Sequence, residues 1–533
     1  MGDLYLRIFQ IDDGSCLVPV ESAICIICLH YLSYPSTINV HLVPKEKEYI
    51  GSVYINVNNM NYSTTNCMDI PFPSSYCRLP VFSNIDKISC VAGLCAVLRQ
   101  IVKITGEEWK KLLGFRESCL VACAEFSMWT KFCEVDMIEC SKHITLVQGN
   151  MLPKELARLE MHLSQPIRIH NIGKLDMTDH IFVEGPNFLL SDIVIAVSVF
   201  IVVETLQCWK SSVIPLTMKW LNSVMKDCGL QDGLSLLKLS KCDNDSREFI
   251  LPAVSNYSLY KSDPKRYKPR NKLFTQQCDI DESMRKVSCV SLKSYEEIYD
   301  DSFNINIEDL PVPDVPQIRL ERKMQQLLNL TKAVLQVSQK DDVIIDFCCG
   351  SGHLGFIVAH FQPKCTVILL DNKEKSLNRA KEKLHSLNLR NIYIIQTNLD
   401  YCIGPFQVGV SLHACGVASD LVIQKCLKRR ANFVVCPCCY GSIQSNHILK
   451  YPQSVEFCNA GLSERDYLVL GHCADQAGTD QGEKGMQIVD TDRCLAAECL
   501  GYNVRLSKLS PPTCTPRNNL IVGYLAKSVK PLN

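Results

Sequence analysis

Residues 341–371 read DDVIIDFCCGSGHLGFIVAHFQPKCTVILLD, and the architecture expected of the chain follows from them. Val343, Ile344 and Ile345 form a β-branched run that Asp346 ends, which predicts a buried strand. Gly350-Ser351-Gly352-His353-Leu354-Gly355 follows. Residues without Cβ let such a loop turn sharply and let a ligand approach its backbone amides. A helix and a second apolar strand, Thr366 to Leu370, come next, and Asp371 closes the unit where a carboxylate accepts hydrogen bonds from ribose hydroxyls. Strand, loop, helix, strand and acid in this order predict a nucleotide-binding unit; a structural βαβ turn with no ligand is the plain alternative.

Asp346 narrows the cofactor. A dinucleotide loop faces a pyrophosphate, which a carboxylate at this position repels. Asp-x-x-x-Gly-x-Gly instead resembles the first motif of class I S-adenosylmethionine methyltransferases, in which an acid sits near the amino-acid portion of the cofactor. The resemblance implies S-adenosyl-L-methionine as cofactor, with Asp346, Gly350, Gly352, Gly355 and Asp371 as its ligands. Cys348 departs from the pattern, because a further glycine usually stands there.

Downstream, Ile392 to Ile395 reads as a third strand ending near Asn398. Ligands of doubly wound sheets gather beyond the carboxyl ends of the strands, so Asn398, with Asp400 as second choice, is expected to bond the adenine amine. A fourth strand, Gln407 to Leu412, runs into HACGVASDL at 413–421, and a fifth, Asn432 to Val435, into CPCCYG at 436–441. These two loops resemble those of eukaryotic tRNA 2′-O-methyltransferases that act on the acceptor stem, and of a methyltransferase-like family carrying Pro-Cys-Cys-Tyr. Methyl transfer is an in-line displacement in which positioning supplies much of the rate and the acceptor must lose a proton. His413 is the expected base, with loop support as its plain alternative, and Tyr440 is expected to orient the acceptor. Cys438 is a candidate nucleophile of the kind used to methylate pyrimidine carbon. Cys415, Cys436, Cys438 and Cys439 also admit zinc or simple packing; their crowding departs from two separated Cys-x₂₋₄-Cys pairs, so no metal is assigned. The fourth-strand loop lacks Asn-Pro-Pro-Tyr, which makes an exocyclic base amine a less natural acceptor than an RNA 2′-hydroxyl. Asn503 to Leu506 and Leu520 to Leu525 read as a closing antiparallel pair, and the polar run Gly471 to Lys484 as a mobile lid.

With 533 residues the chain exceeds one hydrophobic core and predicts about three domains. Lys+Arg and Asp+Glu each number 56, so bulk charge argues neither for nor against nucleic acid. The 30 cysteines sit largely in apolar periodic segments, and Met1 to Leu6 lacks the pattern of a secretory signal; a cytoplasmic protein with reduced thiols is expected. The longest uncharged apolar run, Ile193 to Val203, is far shorter than the ~20 residues a bilayer needs and predicts a buried helix.

Residues 1–87 alternate strand and helix in the order of the thioredoxin-like half of glutathione transferases, with Pro80 matching the cis proline that precedes a glutathione-binding strand. Residues 88–245 read as helical, with helices expected over 91–104 and 118–133. Phe188 to Ile193 resembles the helix start of the glutathione-transferase C-terminal domain, but Leu189 stands where a capping Ser or Thr belongs and leaves Asp192 as the retained half. Cys25 and Cys28 lie mid-helix and Cys16 is only a weak thiol candidate, so a conventional glutathione transferase is not expected. Residues 246–316 read as a linker holding a basic and tyrosine-rich cluster, Tyr257 to Lys272, that suits RNA as well as a solvated linker does. Residues 317–533 complete a multidomain α/β chain: a thioredoxin-like part, an all-α glutathione-transferase-C-like part that can dock a protein, and a Rossmann-like class I methyltransferase domain. Taken end to end, the chain resembles the glutathione S-transferase C-terminal domain-containing family. The alternative reading is a non-catalytic scaffold whose domains are both degenerate.

Overall fold

The computed structural model describes residues 1–45, 51–124, 127–144, 149–167, 179–242, 248–256, 259, 276–297, 316–412, 414–446 and 448–525. The chain divides into two compact units, Met1–Ser262 and Asp263–Asn533.

In the first unit, strand β1 (Gly2–Ile8) leads through helix α1 (Val20–Tyr31) to β2 (Ile38–Pro44), which lies parallel to it. β3 (Val81–Asn84) pairs antiparallel with β1, and β4 (Ser89–Ala92) antiparallel with β3. The peptide between Leu79 and Pro80 is cis. Cys25 and Cys28 are fully buried in α1, and burial raises the Cys28 thiol to about 12. Cys16 is buried on the strand Ser15–Val18, which likewise raises its thiol, to about 11.

Helix α2 (Leu94–Thr105) forms as expected, whereas the helix expected from 118 does not. Arg116, Glu117 and Leu120 adopt left-handed φ values of 52°, 56° and 52°, and the chain becomes helical only at Met128, where Ser127 accepts a hydrogen bond from the Thr130 amide. The uncharged run lies within α3 (Leu190–Leu206), buried on nearly every side. Asp192 keeps its half of the cap: it accepts from the Leu189 amide at 2.9 Å, and also from the Val183 amide and the Trp220 indole at 2.9 Å each. Leu189 has no side-chain acceptor to return the bond, and its carbonyl takes the Asp192 amide at 3.0 Å instead. A single apolar core joins Leu4 and Leu6 of β1 to Ile195 of α3 and Leu221 beyond it. Among the described residues no helix is long and apolar enough to cross a membrane.

The second unit begins inside the stretch read as linker, because Gln277–Lys286 forms helix α4. Its Lys286 and Asp279 bond Asp466 and Arg465 at 2.9 and 3.0 Å. The basic cluster and its tyrosines, Tyr257 and Tyr260 to Lys272, lie outside the described residues. Helix α5 (Gln317–Val337) then precedes β5 (Val343–Phe347), α6 (His353–Phe361), β6 (Thr366–Asp371), α7 (Glu374–Ser386), β7 (Ile392–Gln396), β8 (Val408–Ser411), α8 (Val417–Arg429) and β9 (Asn432–Val435). The parallel strands run in the order β7, β6, β5, β8, β9. The order reverses at β5, and ligands of such sheets bind at that switch point.

Helix α9 (Glu464–Ala474) and helix α10 (Asp480–Glu498) lead to β10 (Asn503–Lys508) and β11 (Asn519–Tyr524), an antiparallel pair in which β11 lines β9. The closing pair is therefore as expected. The lid is not: residues 471–474 and 480–484 are helical, and a Cβ on Gly485 would come within 2.9 Å of the Ala474 backbone nitrogen. Gly485, one residue past the run, permits this close helix packing.

Candidate cofactor and acceptor site

The carboxyl end of β5 runs straight into the glycine loop. Gly350 adopts φ 57° with open space where a Cβ would stand, and Gly352 adopts φ 76° with Leu369 2.7 Å from that position. Gly350 thus leaves room above the loop for a ligand, while Gly352 and Gly355 let the loop close on the Leu369 side chain. Cys348, where the resemblance called for glycine, has φ 54°, a left-handed conformation that costs a non-glycine residue roughly 1–2 kcal/mol.

Two acids hold the loop. The Asp371 carboxylate accepts from the Gly350 amide at 2.8 Å through one oxygen and from the Lys373 amide at 2.8 Å through the other. Asp346, 1% exposed, accepts from the Gly355 amide at 3.0 Å. Burial raises Asp346 to about 7 and the nearby Asp371 charge adds to the rise, opposed by the Gly355 hydrogen bond and by Lys323. The Thr397 amide donates to the Asp371 carbonyl at 3.0 Å, which sets half-buried Asn398 next in line.

The loops beyond β8 and β9 form the facing wall. Ser411 donates to the Phe347 carbonyl at 2.9 Å, tying β8 to β5. The β8–β9 pairing resumes at a Cys415–Cys438 bridge, with the Gly416 amide donating to the Cys438 carbonyl at 3.0 Å. The thiols of Cys415, Cys438 and Cys439 lie within 4.8 Å of one another. Cys436 is apart from them, its thiol 3.8 Å from the Arg517 carbonyl. Hydrogen bonds of its thiol with the Cys415 and Cys439 sulfurs, donated to Cys415 at 3.4 Å, and then burial push the Cys438 thiol far up, opposite to the shift that activates a nucleophile. His413 lies outside the described residues.

Tyr440 is turned into the protein: it is 1% exposed and donates to Asp490 at 2.7 Å. Asp490 also accepts from Arg493 at 2.8 Å and Asn519 at 2.7 Å, while Arg493 binds both oxygens of Asp420 at 2.8 Å each. Tyr451 and Gln453 complete Asp420's partners at 2.9 and 2.7 Å. Two distinctive loop residues, Asp420 and Tyr440, are thereby pinned to one buried arginine on α10.

The glutathione S-transferase C-terminal domain-containing protein homolog of Drosophila pseudoobscura pseudoobscura is 36% identical over 99% of this chain and 100% of its own length. The chain belongs to the glutathione S-transferase C-terminal domain-containing family. The human protein of that name is 30% identical over 98% of each chain. Residues 321–446 match the family model described as a methyltransferase domain, a span running from α5 through the Cys-Cys-Tyr loop.

Within this methyltransferase domain the fold brings Asp346, Gly350, Gly352, Gly355, Asp371 and Asn398 to one edge of the sheet, and Cys438 to the neighbouring loops. Sequence reasoning missed Arg493 and Asp490, although two charges three residues apart beside Ile488, Val489 and Cys494 are a legible sign of a buried pair. It also missed Lys323 on α5, half-buried and in electrostatic reach of Asp346 and Cys438; burial lowers its ammonium to about 8.

Proposed function

We propose that this family member is an S-adenosylmethionine-dependent methyltransferase acting on an RNA 2′-hydroxyl, with the first unit, thioredoxin-like in its sheet, serving to dock a protein. The observation that carries the cofactor reading is the Asp371 carboxylate, one oxygen bonded to the Gly350 amide of the glycine loop and the other to the Lys373 amide just after its own strand. Each oxygen has a further lone pair, so the pair of acceptors suits the two hydroxyls of a ribose. Asp346 and the space above Gly350 suit the amino-acid tail, and Asn398 suits the adenine edge. When bound there, S-adenosylmethionine supplies an electrophilic methyl group on a sulfonium centre.

The chain's own work is to aim the acceptor and to take its proton. His413, two residues after β8 in the chain, fills the second role in this reading, and Lys323 is a further group able to exchange a proton near neutral pH. Tyr440, bonded to buried Asp490, holds the loop after β9 in place and takes no part in aiming the acceptor. Radiolabelled methyl transfer into fractionated cell RNA and protein tests the proposal. Label in RNA ribose with the wild type and none with Gly350→Arg is expected; label in protein, or RNA labelling that survives Gly350→Arg, refutes it.

A further inference from the structure

We infer that Cys415, Cys438 and Cys439 hold a zinc ion through three thiolates and leave its fourth coordination position open beside the β8 and β9 loops. A tetrahedral zinc ion with bonds of about 2.3 Å sets its sulfurs roughly 3.8 Å apart. The Cys415 and Cys438 sulfurs are 3.4 Å apart and all three lie within 4.8 Å, so closure on an ion needs shifts of about 1 Å or less. A disulfide requires about 2.05 Å between two sulfurs and gives the third no role.

The cluster is built by the backbone. Its thiols come from two loops that are bonded to each other through Gly416 and Cys438, and the Tyr440–Asp490 bond anchors the residue that follows Cys439. Three thiolates around a divalent ion carry a net charge of −1, and two lysines lie in electrostatic reach of it, Lys323 of Cys438 and Lys373 of Cys415. Sulfur donors select zinc over magnesium or calcium. Three protein ligands rather than four characterise sites that keep a position for water or substrate, and Cys415 is exposed. Among the described residues no fourth His, Cys, Asp or Glu joins the set. That the open position receives the methyl acceptor rests on the methyltransferase reading; the ion itself does not.

Elemental analysis of the full-length protein, purified without a metal-binding tag, tests the site. About one zinc per chain is expected, falling to near zero in Cys415→Ser, Cys438→Ser and Cys439→Ser and unchanged in Cys436→Ser. Cobalt exchanged into the wild type gives a thiolate-to-cobalt charge-transfer band that Cys438→Ser lacks, and absorption-edge fine structure gives three sulfurs and one lighter atom. Binding of S-adenosylhomocysteine by Cys415→Ser shows that the fold survives and separates failure of the metal site from failure of the cofactor reading. A zinc-free wild type, a Cys415–Cys438 disulfide in non-reducing peptide maps, or zinc retained in all three serine variants overturns the inference.

Discussion

Replacing Asp371 with alanine removes the oxygen that holds the Gly350 amide of the glycine loop and the one that holds the Lys373 amide, the two acceptors proposed for the ribose. A hydrogen bond to a charged acceptor contributes about 1.5–3 kcal/mol. Losing two such bonds to the ribose hydroxyls therefore weakens binding by about 3 kcal/mol or more, roughly 150-fold. Asp371→Asn keeps one carbonyl oxygen and loses a single acceptor, so its loss is about 10- to 100-fold. The Gly350 and Lys373 amides that Asp371→Ala leaves behind lie at the loop surface, where water can reach them, so stability falls by only about 1–3 kcal/mol. Calorimetric titration with S-adenosylhomocysteine, which avoids turnover, measures the first effect, and urea unfolding the second. Affinities ranked wild type, then Asn, then Ala are expected. A folded Asp371→Ala that binds within threefold of the wild type refutes the idea that this carboxylate grips the ribose, and a wild type that does not bind at all favours the scaffold.

Arg493→Met leaves Asp420 and Asp490 buried with their shared cation gone, and breaking such a pair costs about 3–5 kcal/mol; urea midpoints within experimental error of the wild type would remove the network from the argument. Asp346 titrates near 7 when folded and near 3.8 when unfolded, so between these values the folded state binds more protons and stability falls as pH rises. The cationic tail of the cofactor prefers ionised Asp346, so S-adenosylhomocysteine affinity rises from pH 6 to 8 in the wild type and stays flat in Asp346→Asn; parallel profiles contradict this placement. Gly352→Ala adds a Cβ 2.7 Å from Leu369 to a left-handed residue, whereas Gly461→Ala, at φ 75°, meets nothing within 4 Å. Unfolding curves are expected to show the first costing about 1–3 kcal/mol more than the second.

The methyltransferase half was legible because each of its signals is local. Val343 to Ile345, the glycine loop and the Thr366 to Leu370 run announce a strand, a turn and a strand within one short span, and the structure forms them with boundaries shifted by one or two residues. The failures share a cause. The helix expected from 118 is prevented by the left-handed residue Leu120 inside it, after left-handed Arg116 and Glu117 just before it, which no periodicity reveals. The run read as a lid is helical at both ends, and Gly485 just past it packs against Ala474 of the preceding helix, a contact that exists only when the two helices meet.

The order of residues alone determined the alternation of strands and helices after 317, the acids that end β5 and β6, and the buried helix around Ile195, since each follows from side-chain size, branching and charge within a turn or two of chain. Tertiary structure alone decided that Tyr440 points to Asp490 rather than toward an acceptor, that Cys436 leaves the company of Cys415, Cys438 and Cys439, and that Lys323 comes into electrostatic reach of Asp346. These are meetings between groups far apart in the chain, and their geometry exists only once the parallel strands have taken their order and brought the loops at their carboxyl ends together.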